Sequence, residues 1–141
     1  MQYKKFGTSY VIRLEIEDEL IGSLNEFAIK EKITGGFFYG LGAVKGVSLG
    51  YFEVEKKKYK EKTYDMDYEL TSLVGDISLF ENNVMVHAHV TLADKYFRVL
   101  AGHCYRAVVT ATVEIFFNPI EGKLEKKIDP DSGLNLLDLK G

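Results

Sequence analysis

The chain has no tryptophan, two prolines and one cysteine among its 141 residues. A single thiol, Cys104, cannot close an internal disulfide, and it excludes a zinc site built on several thiolates. No run of about 18 apolar residues occurs, so no membrane-crossing helix is expected. Lys4 and Lys5 near the start are not followed by an apolar core, which argues against a secretory leader. Together these absences predict a cytoplasmic protein. Positive charge is also short: 18 Lys and Arg stand against 21 Asp and Glu, for a net charge of −3, and only three of the basic residues are arginines. A protein that grips nucleic acid through its phosphates usually shows the reverse balance.

What is present suits one compact domain over residues 1–141. Hydrophobic residues make up 46% and charged residues 28%, and this length can bury a core without covalent staples. Tyr10, Ile12, Leu14 and Ile16 alternate with Val11, Arg13 and Glu15, which predicts a strand over 10–16. The period then changes. Leu20, Ile21, Leu24, Phe27 and Ala28 recur at helical spacing behind Asp18 as N-cap, so a helix should run to about Lys32. Residues 33–44 read as a glycine-rich strand. Their glycines have neither the spacing nor the following helix of a nucleotide-binding loop.

Further strands are expected at 47–54, at 68–81 with a bend or bulge at Gly75, at 84–92, at 99–106 and at 107–117. Asn82-Asn83 is the turn candidate. The tail from 128 to 141 should dock as an irregular segment or a short helix. One helix followed by many strands predicts the α+β class with a mostly antiparallel sheet. Lys56, Lys57, Lys58, Lys60 and Lys62 form a locally basic stretch around Tyr59. It reads as a solvated hairpin tip or edge strand, with a nucleic-acid patch as the alternative.

The chain's three histidines, His87, His89 and His103, fall within seventeen residues. Val84, Val86, Ala88, Val90 and Leu92 are all apolar, so the odd positions between them face away from the core. His87 and His89 then project together, with their bases about 6.5–7 Å apart. Asp94-Lys95-Tyr96-Phe97 can reverse the chain and return His103 beside them, with Gly102 permitting close packing. Three imidazoles with no fourth protein ligand suit an open site for a divalent metal, of which zinc is the leading candidate; copper, iron and nickel also accept imidazole. A carboxylate nearby could act as a base. Glu69 and Asp94 are the candidates. An Asn82-Asn83 turn would pair residue 84 with 81 and 87 with 78, leaving Glu69 opposite residue 96.

Four stretches carry a resemblance to a known family: Glu69-Leu70-Thr71-Ser72-Leu73-Val74-Gly75-Asp76-Ile77-Ser78, His87-Ala88-His89-Val90-Thr91-Leu92-Ala93-Asp94, Ala101-Gly102-His103, and Phe38-Tyr39-Gly40-Leu41-Gly42-Ala43-Val44-Lys45. In this order they resemble the plants and prokaryotes conserved (PPC) domain, a domain of unknown function labelled in places as DNA-binding. The resemblance implies a homotrimer, and in microbial members a metal site, often taken as zinc, at the three matching histidines. Plant members place the domain after AT-hook motifs. This chain has no Arg-Gly-Arg core of such a motif, so the minor-groove arm is missing. Three functions follow as alternatives: a metal-binding homo-oligomer that takes a small ligand, a metal-dependent enzyme acting through metal-bound water, or a DNA-binding protein.

Overall fold

The computed structural model describes residues 1–140. It is an α+β fold of nine strands and one α-helix, and the pairing between strands is antiparallel except at one short ladder. The expected class is therefore observed, with several boundaries redrawn.

The chain opens with a hairpin of β1 (Gln2–Phe6) and β2 (Ser9–Leu14), turned at Gly7 with φ 61°. The helix α1 spans Leu20–Lys30. Its N-cap is Glu19, not Asp18: the Glu19 carboxylate accepts hydrogen bonds from the Ile21 and Gly22 amides at 3.1 and 2.7 Å. Asp18 instead accepts from the Glu15 amide and pairs with the N-terminal ammonium at 2.7 Å. Leu20, Leu24, Phe27 and Ala28 are fully buried on the helix's inner face. Phe27 sits edge-on to Tyr3, Tyr10 and Phe117, which ties helix, hairpin and sheet together.

The two strands expected within 33–54 are one, β3 (Gly36–Glu53), and those expected at 99–117 are likewise one, β7 (Val99–Pro119). Register shifts after Gly40, Gly42 and Lys45 allow β3 to bend without breaking. β4 (Lys58–Tyr64) pairs only with β3 and is an edge strand. β5 (Tyr68–Phe80) and β6 (Asn83–Ala93) complete a closed circuit: β3 pairs with β5, β5 with β6, β6 with β7 and β7 with β3. Inside it Phe38, Leu73, Ile77, Ala88, Leu92 and Ile115 are buried.

Two corrections reach the site. The β5–β6 turn is Glu81-Asn82, both with positive φ (51° and 63°), so residue 83 pairs with 80. A turn one residue earlier shifts the ladder by two, and His87 lies opposite Asp76 instead of Ser78. The tail is neither irregular nor helical over its whole length. β8 (Glu125–Ile128) joins the end of β5 in parallel, and β9 (Asn135–Leu137) folds back on β8.

Candidate metal centre

β6 presents His87 and His89 on its outer face, while Ala88, Val90 and Leu92 point into the core. His103 comes from β7, directly opposite His89 in the ladder. Its neighbour Gly102 lets β7 pack closely on β3: a Cβ there would sit 3.0 Å from the Gly50 carbonyl oxygen. The three rings form a compact group, with centroids 5.1 Å apart for His87–His89, 5.1 Å for His87–His103 and 5.5 Å for His89–His103. One nitrogen from each lies within 4.8 Å of the others.

His87 is oriented by a residue the sequence reading passed over. Its Nδ1 lies 3.1 Å from Asp76 Oδ2. Burial works to raise the Asp76 carboxyl, but hydrogen bonds from His87, Lys126 and Ser78 outweigh it and hold the carboxyl below the usual range. An ionised carboxylate only accepts, so Nδ1 carries the proton and Nε2 is free to ligate. Lys126 Nζ reaches both Asp76 oxygens, at 2.9 and 3.1 Å, with its side chain only 4% exposed. Ser78 Oγ donates to Oδ1 at 2.9 Å.

The environment disfavours charge on His89 and His103. Burial, with His87, His89 and Lys126 adding, pushes His103 down to about 4. Burial, then His87, also lowers His89. His103 Nδ1 is buried without a hydrogen-bond partner, an unfavourable state that ligation through that nitrogen would relieve. Tyr59 and Tyr105 flank the same ring at 5.1 and 4.7 Å. A partly buried set of three nitrogen donors, one already fixed by a carboxylate behind it, fits a borderline divalent cation.

Glu69 and Asp94 are not brought to this group. Glu69 pairs with Ala93, four residues beyond His89 on β6 and so roughly 13 Å along the strand. Asp94 is buried in the β6–β7 loop, where it accepts from the Tyr96 and Arg98 amides and from the Arg98 guanidinium at 2.7 Å. Cys104 points into the core, its thiol pushed up to about 12 by burial, with the Glu19 charge adding.

The lysine stretch lies on the short turn 54–56 and on β4. Lys56 pairs with Glu53 at 3.0 Å and Lys62 lies over the Tyr64 ring at 4.8 Å. Glu53 and Glu55 precede the lysines and Glu61 falls among them, and Lys58, Lys60 and Lys62 on an edge strand read as edge-strand protection. No helix among the described residues is long and apolar enough to cross a membrane.

Residues 1–121 match the profile of the Plants and Prokaryotes Conserved (PCC) domain. Among solved structures, a "putative DNA-binding protein" from Bacteroides thetaiotaomicron VPI-5482 superposes with a TM-score of 0.95 at 29% identity, over 99% of this chain and 98% of that one. A plant- and prokaryote-conserved (PPC) protein from Pyrococcus horikoshii is 32% identical, with a TM-score of 0.86 over 97% and 94% of the two chains. A metal-containing protein from Archaeoglobus fulgidus is 29% identical, with a TM-score of 0.87 over 97% and 98%. No functionally curated relative matches the chain.

Proposed function

Because this chain belongs to the Plants and Prokaryotes Conserved domain family, we propose that it is a metal-binding, self-associating protein in which His87, His89 and His103 hold one divalent cation. The observation that carries this is the approach of three imidazole nitrogens to within 4.8 Å of one another. Tetrahedral ligation at 2.0–2.1 Å places donor nitrogens about 3.4 Å apart. The rings therefore need to close by little more than an ångström, within reach of small side-chain rotations. The Archaeoglobus relative, named as metal-containing, supports the same reading. Three nitrogen donors with a position left open is an arrangement zinc commonly takes, so zinc is the proposed metal.

The test is elemental analysis of the protein purified without added metal, beside the double variant His87→Ala/His89→Ala. About one metal per chain is expected in the first and none in the second. Equal contents would end the proposal.

The apolar outer face of the sheet supports self-association. Phe37, Tyr39, Leu41, Val74 and Phe116 are each roughly half exposed. They are neighbours across β3, β5 and β7, and the Tyr39 and Phe116 rings stack at 5.3 Å. A contiguous patch of this kind marks an interaction surface. We take the assembly to be a homotrimer, as the family resemblance implies.

The enzyme alternative has less support. Glu69 and Asp94 lie away from the triad, and Asp76 is occupied by His87, Lys126 and Ser78. DNA binding is part of the names of relatives, whereas the lysines here have Glu53, Glu55 and Glu61 close by in a chain of net charge −3. A steep loss of DNA affinity with added salt would be required to revive it.

A further inference from the structure

A cleft of ≈350 Å³ opens beside the triad, with His87 and His103 in its lining. That volume is at the small end of ligand pockets and suits a molecule of about ten to fifteen non-hydrogen atoms. Phe52 of β3, Tyr59 of β4 and Tyr105 of β7 contribute aromatic surface. Met85 and, from the C-terminal hairpin, Leu134 and Leu136 contribute aliphatic surface. That hairpin lies beyond the 1–121 span matched by the family profile.

The charge lining the cleft is of one sign. Lys57, Lys58 and Lys126 line it and no carboxylate does, although acidic residues outnumber basic ones by 21 to 18 in the chain. Asp76 holds Lys126, whereas Lys57 and Lys58 are exposed at the cleft. A cation at the triad would add to this field. Phosphate is not the chemistry provided for. The lining has no arginine, and its only hydroxyls are those of two tyrosines, so the many-donor cradle of a phosphate site is missing.

We infer that the cleft binds a small aryl carboxylate, with the carboxylate directed to the histidine end and the ring held against Tyr59, Tyr105 and the leucines of the C-terminal hairpin. The placement of the carboxylate rests on the triad holding a cation. The apolar surface, the lysines and the volume do not.

Phenylacetate is the probe. It is titrated calorimetrically into the 141-residue chain, whose metal content is measured on the same sample. Phenylacetamide and inorganic phosphate are the comparison ligands. Phenylacetate should bind once per chain, with phenylacetamide and phosphate weaker by about tenfold or more. Leu134→Asp and Lys57→Glu/Lys58→Glu should each weaken phenylacetate by a similar factor while leaving the metal content unchanged. Phenylacetate-induced NMR shifts in the unmodified protein should fall on Tyr59, Tyr105 and Leu134. They make the result independent of how well the variants fold.

Metal-loaded protein that shows no phenylacetate binding overturns the inference and leaves the metal site standing. Binding without any metal keeps the cleft assignment and removes the cation from it. Protein with neither metal nor binding sinks both. Equal affinity for phenylacetamide or phosphate overturns the ligand class.

Discussion

His87 is held at its outer nitrogen by Asp76, and Asp76 is held by Lys126 and Ser78. This chain of contacts sets the tautomer of one candidate ligand and its ring direction. Partners of this kind typically affect metal affinity by 10–100-fold. Asp76→Asn should therefore lower metal affinity by roughly that factor without emptying the site, because His89 and His103 keep their own positions. Competition with a coloured chelator measures it, and an affinity unchanged within about twofold would show that His87 needs no orienting carboxylate.

The three histidines were readable because strand parity alone puts His87 and His89 on one face. Asp76 was not. It sits on another strand, eleven residues before His87, and only the correct hairpin register brings the two together. Both Asn82 and Asn83 tolerate a left-handed turn, but Glu81 also adopts one here, and no local preference announces that choice. Lys126 was less legible still, since its burial depends on a four-residue parallel strand in a tail with little periodicity.

At the scale of elements, β5 and β6 must lie close where they carry the site. Gly75 makes that possible. A Cβ at this position would collide with the His87 carbonyl oxygen and the Phe38 ring. Neither obstacle is the free end of a flexible chain, so the strands would have to part. Gly75→Ala should cost about 1–3 kcal/mol, the usual range for overpacking, seen as a lower urea midpoint with an unchanged slope. No register shift falls at Gly75 in either of its ladders; the β5–β6 register breaks between Leu70 and Ser72 instead. The close contact at Gly75 depends on which backbone crosses it.

The β6–β7 loop makes a separate prediction. Burial tends to raise the Asp94 carboxyl, but the Arg98 guanidinium and the Arg98 and Tyr96 amides more than compensate and hold it below the usual carboxylate range. A carboxyl whose folded value is depressed stabilises the fold fully above its unfolded value near 3.9. That contribution is lost as pH falls through the lower, folded value. Thermal melting between pH 7 and pH 3 should show a steeper acid loss in the unaltered protein than in Asp94→Asn. Parallel curves would remove Asp94 from the acid sensitivity.

For the whole molecule, composition and element order were enough for the α+β class, and alternation was enough for most of the core. How the strands close on one another was not available, because β3 and β7 each pair with more than one partner along their length. That closure has a consequence for assembly. It places Tyr39 between Val74 and Phe116, and Val74 beside His89, so the exposed apolar face runs directly up to the triad. A second copy covering this face would bury rings that otherwise face water and would also shield His89, the most exposed ligand candidate. Tyr39→Lys/Phe116→Lys replaces the stacked pair with two charges that cannot be desolvated cheaply, at positions where neither side chain supports the core. Sedimentation velocity should then show the assembly reduced to single chains with the far-UV circular dichroism unchanged. Metal affinity should fall along with it only if the partner's cover matters to the site. An unaltered protein that already sediments as a single chain at high concentration would mean that this face serves something other than self-association.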